Sequence, residues 1–426
     1  MKSIGLPGAV TQRGDWRPIL GRRLRCRPFA GKNREIGEDE NGTQAAGVVV
    51  HRRQWYCPRD AAADRVGDSW RDAMRPTLVL PIACMALIGG STVSARSGPP
   101  PETVDAAPSE TRRHSYAAVL MGVRMEIVLY APDEETGRIA AKDAFGRIAV
   151  IEQVASTYRG NSELSRLVKR RNADAVVVSQ DLFNLLEMSK RLHESTDGAF
   201  DCSVYKLVQA WRRAAEAKIL PEPLVFETLR RISRSDQIEL DGETRSVKLK
   251  EGVAITLDGI AKGYAGDAAL EVLKAHGISR ALIDLSGDVV IGDPPPGEEA
   301  WSVSLDFGDP DVPTMRLALA NCAVATSGDT EQFFEIDGVR YSHIIDPRTG
   351  MACTNRTAAC VIAPTGSLAD ALATAACVLG TADASEVLAR FEDVSARVRT
   401  LGLDRAGEPD EILVGAQFEA TEPDPQ

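Results

Sequence analysis

The stretch GIAKGYAGDAALEVLKAHGI (residues 259–278) decides how the chain folds. Ala268, Val272 and Leu273 recur at helical spacing over residues 262–276, and Gly277 stands where a helix C-terminus favours a residue free to take positive φ. Strand patterns come next, at 281–285, 289–291, 301–307 and 315–319, and then a hairpin around Asp337-Gly338. Parallel strands need long crossovers between them, and this run leaves no room for one after each strand. It predicts an α+β fold with a largely antiparallel sheet, the runner-up being two packed subdomains.

Working outward, SYAAVLMGVRMEIVLYA (115–131) reads as two extended segments meeting near Gly122. Residues 134–156 carry Ile139, Ala140, Ile148, Ile151 and Val154 on one helical face, and a loop follows at Arg159-Gly160-Asn161. A strand at 175–178 leads into a helix capped by Ser179, with Leu182, Leu185, Leu186 and Leu192 as its stripe, ending at Thr196-Asp197-Gly198. Residues 237–240 and 246–250 flank a turn at Asp241-Gly242-Glu243. Helices at 367–379 and 384–391 precede a last strand pair, 396–401 and 411–414. There is no internal repeat.

The chain has 426 residues, 44% hydrophobic and 26% charged, the composition of a globular protein with a sizeable core. A net charge of -11, with no basic stripe through the body, excludes a nucleic-acid partner; a small molecule or a protein is expected instead. Residues 1–73 are Arg- and Gly-rich without apolar periodicity, and are expected to be disordered or not translated. Residues 74–95 have the anatomy of a secretory signal peptide: Met74, the charged Arg75, an apolar run over 78–88, and Val93-Ser94-Ala95 as cleavage site. The run is too short to cross a bilayer of roughly 30 Å, and a lipoprotein reading through Ala83-Cys84 is weakened by Pro81. Residues 96–114 form a Pro-rich linker, 115–415 the catalytic domain and 416–426 an acidic tail. The expected location is the periplasm, either free or held at the cytoplasmic membrane. Cys202, Cys322, Cys353, Cys360 and Cys377 show no CxxC pair and no zinc spacing, so buried free thiols are expected.

The chain lacks a Walker loop, a GxGxxG after a first strand, HExxH and GxSxG. In SLADALAT (367–374), Asp370 and Thr374 stand one helical turn apart on one face, two oxygens suited to Mg²⁺. The ordinary alternative is a helix N-terminal acid beside a solvated Thr. Lys262, between glycines at a helix start, suits a phosphate, or is simply an exposed lysine beside a turn. Phe200 and Asp201 of DGAFDCSV place an apolar contact and an acceptor side by side, as a flat heteroaromatic ring requires; otherwise they are a buried junction. His343 opens HIIDPRTG at a strand end, either aimed into a site or merely packed. Ser327-Gly328 lacks the partners of a nucleophile and reads as a turn shaping the pocket.

Taken in order, MGVRMEI, TYRGNSELSRL, GAFD, GIAKGYAGDAALEVLKAHGI, DLSGDV, AVATSGD, HIIDPRTG and ADALAT resemble the ApbE family, FAD-dependent protein flavinyltransferases, over about residues 115–405. The resemblance implies a T-fold-like α+β domain that binds FAD and Mg²⁺. It further implies movement of FMN from FAD onto a Ser or Thr hydroxyl of a target flavoprotein, such as an exported redox-pump subunit, with release of AMP. Carried over by motif, Met121, Tyr158, Ala199, Phe200, Asp201, Thr256, Lys262 and Ile345 would contact FAD. Asp370, Thr374 and the carbonyl of Gly259 would hold the metal. His343 would be the general base, Lys262 would aid charge neutralisation, and Asp346 would orient His343 or the pocket wall. Asp258 stands where a small residue is usual, Ser286 replaces the first glycine of Gly-Gly-Asp, and Val123 replaces a Thr. An FAD pyrophosphatase and a non-catalytic flavin-binding protein are the competing expectations.

Overall fold

The computed structural model describes residues 47–50, 111–170, 174–307, 314–329, 332–401 and 410–418. The expected signal peptide, and the linker up to residue 110, lie outside the described residues. β1 (Gly47–Val50) precedes the hairpin β2 (Arg112–Leu120) and β3 (Val123–Ala131). Then come α1 (Glu134–Ala155), α2 (Glu163–Lys169), β4 (Val176–Val177), α3 (Gln180–Ser195), α4 (Tyr205–Ala217) and α5 (Pro223–Ile232). β5 (Ile238–Asp241) and β6 (Ser246–Leu249) lead to α6 (Ala261–Ala275). The strand-rich part is β7 (Ala281–Asp284), β8 (Asp288–Ile291), β9 (Trp301–Leu305), β10 (Met315–Leu319), β11 (Cys322–Gly328), β12 (Phe333–Ile336), β13 (Val339–Ser342) and β14 (Thr357–Ala363). α7 (Gly366–Leu388), β15 (Ser395–Thr400) and β16 (Glu411–Val414) close the fold.

Eight strands pair in the order β16-β15-β14-β11-β8-β7-β3-β2, every neighbour antiparallel. The α+β, antiparallel expectation therefore describes the architecture. Side chains alternate across this sheet. On β3, Met125, Ile127 and Leu129 join the core beneath α1, α6 and α7, while Val128 joins a second core against β9 and β10. On β14, Ala359, Val361 and Ala363 face the helices and Ala358, Cys360 and Ile362 the opposite side. The sheet is thus buried on both faces. A third cluster, Leu207, Trp211, Phe226, Ile336, Tyr341 and Ile345, binds α4 and α5 to the β12–β13 hairpin. Trp211 packs on Phe226, Phe334 and Tyr341, and its Nε1–H donates to the carbonyl of Gly350 at 2.9 Å.

Local chemistry explains the boundaries. Met121 (φ 51°) and Gly122 (φ 79°) make the two-residue turn that the right-handed twist of β2 and β3 favours. Asp133 caps α1 by accepting from the Thr136 N–H at 2.8 Å, and Ser179 caps α3 as expected, accepting from Leu182 N–H at 3.3 Å. The two expected C-terminal helices are both present within α7, separated by a break at Gly380 (φ 69°, ψ −176°). On α6, Leu273 is fully buried, whereas Ala268 and Val272 are only partly so; the tightest stripe is Gly263, Gly266 and Ala269, because that face meets α7 and β8.

At the chain ends the structure differs from the expected divisions. Gly47–Val50, within the stretch expected to be disordered or untranslated, runs parallel to β9; the rest of 1–73 lies outside the described residues. β2 starts at Arg112, inside the expected linker, and Phe418, in the expected acidic tail, is buried in the second core. All five cysteines from Cys202 to Cys377 are free thiols, four of them buried.

Candidate active site at the crossing of two helices

α6 and α7 cross at glycine. A Cβ on Gly263 would overlap the carbonyl of Gly366, and one on Gly366 would stand 2.6 Å from the Gly263 carbonyl oxygen. Only backbone fits there. Asp267 of α6 locks the crossing by accepting from the N–H groups of Gly366 (2.6 Å) and Ser367 (2.9 Å) at the start of α7. This contact sets Asp370, on the first turns of α7, against the start of α6, where its Oδ2 accepts from Gly263 N–H at 3.1 Å. Asp370 is therefore not the ordinary N-terminal acid of its own helix; its described side-chain bond goes to the neighbouring one.

One turn further, the Thr374 hydroxyl donates to the Asp370 carbonyl at 3.2 Å and lies 3.2 Å from where a Cβ of Gly259 would stand. The Phe200 ring lies 3.4 Å from the same point. The three residues expected to hold a metal thus converge, with an expected flavin contact beside them. Lys262 pairs with the carboxylate of Asp288 at the start of β8. Asp288 is buried, and its Oδ1 has no hydrogen-bond partner.

Burial and the neighbouring Asp288 push the Asp370 carboxyl up to about 7, against the pull of Lys262 and the Gly263 N–H. Burial likewise raises Asp284 to about 6, although Ser286 and Gly287 donate backbone N–H to it. Asp258 is reached by solvent but walled by protein, and that desolvation raises it against Arg212 and Lys262. Asp370 and Asp258, both held up by burial near Lys262, mark a recess that favours added positive charge.

The donor set fits Mg²⁺. Among the described residues no group of three or more His, Cys, Asp or Glu is placed to hold a metal. The Asp370 carboxylate and the Thr374 hydroxyl stand one turn apart on α7, with Thr374 beside the backbone of Gly259, and so few protein oxygens leave positions for water and phosphate, as this small hard cation prefers. Asp288 Oδ1, buried without a hydrogen-bond partner, belongs to the carboxylate that pairs with Lys262.

His343 comes directly after β13 and is exposed, with its Nδ1 3.0 Å from the carbonyl of Gln332. A carbonyl only accepts, so Nδ1 is the donor of this bond. The described bonds of the Asp346 side chain go to Arg348, from its N–H at 2.9 Å and its guanidinium at 3.0 and 3.1 Å. That carboxylate shapes the turn behind His343. Ile345, bridged to Ala352, is buried in the third cluster.

The remaining expected flavin contacts differ in kind. Ala199 and Phe200 are buried, Met121 is half-buried at the β2–β3 turn, and Tyr158 is exposed with its hydroxyl accepting from Arg212 at 3.0 Å. Thr256 is half-buried, and its hydroxyl accepts from Asp258 N–H at 3.3 Å. Asp201 is not an open acceptor: its carboxylate takes the N–H of Ser203 (2.7 Å) and Ser235 (3.2 Å) and lies 3.1 Å from His193 Nδ1. A cavity of about 370 Å³ lined by His193, Asp201, Arg231 and Arg348 shares only Asp201 with the expected site and does not reach Lys262 or Asp370.

Sequence reasoning gave no role to Asp288 or Arg212. Asp288 was visible as the second acid of DLSGDV, but nothing local links it to Lys262.

Fold and cradle together define an α+β protein with a lysine and buried carboxylates at a helix crossing. The family model described as the ApbE family matches residues 121–398, and the chain belongs to that family. It is 32% identical over 309 residues to an FAD:protein FMN transferase of Treponema pallidum, covering 68% of this chain and 84% of the relative. An FAD:protein FMN transferase of Klebsiella pneumoniae is 30% identical over 293 residues, covering 68% and 89%. Among solved structures, a mutant flavin transferase ApbE from Vibrio cholerae superposes with a TM-score of 0.64 at 25% identity, covering 72% of this chain and 99% of that one. The ApbE protein of Thermotoga maritima gives 0.62 at 27%, covering 70% and 96%.

Proposed function

We propose that this chain is an FAD:protein FMN transferase that works with Mg²⁺ on a Ser or Thr hydroxyl of a target flavoprotein. The observation that carries the reading is the convergence of Gly259, Asp370 and Thr374 beside Phe200, with Lys262 held at the same helix crossing. Asp370, Thr374 and the Gly259 carbonyl would hold Mg²⁺, which when bound neutralises charge on a diphosphate. Lys262 adds a fixed positive charge at the start of α6, where backbone N–H groups already favour an anion.

His343 Nε2 accepts the proton of the incoming hydroxyl as its oxygen bonds to the FMN phosphorus. The phosphoanhydride bond breaks and AMP leaves with the electron pair. The exposure of His343 favours a macromolecular acceptor, whose hydroxyl must arrive from outside the fold. The signal-like segment at 74–95 supports export, with periplasmic flavoproteins, redox-pump subunits among them, as targets.

Incubation with FAD, Mg²⁺ and a candidate acceptor domain, followed by intact-mass spectrometry, tests the reading. The expected result is an FMN-sized mass gain with equimolar AMP, and Asp370→Ala should abolish the Mg²⁺-dependent part. AMP release without a mass gain would indicate hydrolysis; FAD held intact would indicate a binding protein.

A further inference from the structure

Asp288 is the buried carboxylate that the proposed reaction leaves without a task. It is 2% exposed, and antiparallel pairing with Ala325 of β11 holds its backbone rigidly in the sheet. Its Oδ2 bonds Lys262, whereas Oδ1 is enclosed without a donor. A buried carboxylate oxygen left unsatisfied is costly, and such groups persist where something else completes them. Asp288 pairs with Lys262, and Asp370 accepts from the next N–H along, that of Gly263, so the two carboxylates meet at the start of α6 from different elements, strand β8 and helix α7.

Mg²⁺ sheds its waters reluctantly, and each retained water carries two protons that need acceptors. A cradle of one carboxylate, one hydroxyl and one carbonyl leaves several such waters. We propose that Asp288 is the positioning residue for cation loading: Oδ2 holds Lys262 at the start of α6, and Oδ1 accepts a hydrogen bond from a water on the bound Mg²⁺. This rests on the proposed Mg²⁺-dependent reading. It has a signature that a merely structural residue lacks. Asp288 repels the FAD diphosphate when metal is absent and favours the loaded state when metal is present, so its loss acts with opposite sign on the two.

The test is calorimetric titration of FAD into wild type and Asp288→Asn, with and without Mg²⁺. In the variant, metal-free FAD binding is expected to be unchanged or tighter, while the tightening produced by Mg²⁺ falls about tenfold, as loss of an outer-shell partner does. Full retention of the Mg²⁺ effect, or a parallel loss in both conditions, overturns the inference. Lys262→Met, titrated with Mg²⁺ alone, decides the matter if the Asn variant does not fold. Freed of its lysine, Asp288 should tighten Mg²⁺ binding by roughly threefold or more, and an unchanged affinity overturns the inference. Loss of the Mg²⁺ effect in Asp370→Ala but not in Asp288→Asn sinks this inference alone; no Mg²⁺ effect in wild type sinks it together with the metal reading.

Discussion

At neutral pH a carboxyl that titrates near 7 is divided between its charged and neutral forms, and Asp370 is such a group. Its folded-state pKa lies above the unfolded value. The metal-free fold therefore has the full benefit of the neutral form below about pH 4 and loses it as pH rises through about 7. Asp370→Asn should flatten the fall in stability between those limits, measured by chemical denaturation at several pH values without metal. Cation binding selects the ionised form and should release a proton near pH 7, visible as a buffer-dependent heat. His343→Ala should cut transfer by roughly 10²–10⁴-fold with FAD affinity retained, because the base touches the acceptor rather than the cofactor. At this scale the sequence was partly legible. Asp370 and Thr374 sit on one helix, so their spacing alone places them together, and Lys262 announces itself by its glycines. Asp288 depends on a strand register and a helix crossing, and Asp201 on a loop packing against Ser235, which no local pattern encodes.

The helix crossing is the element on which the site depends. Gly263→Ala would drive a methyl into the Gly366 carbonyl, and overpacking of this kind costs about 1–3 kcal/mol. The expected readout is a lower denaturation midpoint, with Mg²⁺-dependent activity falling further than stability alone explains, since the crossing also sets the distance from Gly263 N–H to Asp370. Helices with a one-sided stripe, α1 and α3, were legible to within a residue or two. β14 was not, because TAACVIA is buried on both faces and shows no alternation. α4 had a readable signal, Leu207, Ala210, Trp211 and Ala214 at helical spacing, that went unused. α5 buries only Phe226 and offers little to read.

Across the whole molecule, a sheet is covered by helices on one face and by β9 and β10 on the other; Lys262, Asp370 and Thr374 ride on the helical side with α6 and α7, whereas Ile345 belongs to the third cluster. The antiparallel order was legible from the missing crossovers; which strands would be neighbours was not, since β14 inserts between β11 and β15 through pairing distant in sequence. α7 has the length and apolarity to cross a membrane, but 67% of its apolar window is buried in the core, so the fold uses it as a packing element. Export makes a prediction at this scale: N-terminal sequencing of the mature protein should begin near Arg96, and a chain starting at Met1 would contradict it.

Processing at that point would leave two indole fluorophores, Trp211 and Trp301, since the other three, Trp16, Trp55 and Trp70, precede residue 74. Trp301 lies in the layer beyond the sheet. Trp211 is bonded to the turn that comes after His343 and packs at a tilt on the rings of the hairpin that precedes it. Emission from Trp211, isolated by Trp301→Phe, would thus give an optical signal of movement in the hairpin next to the base when an acceptor docks, without any added label.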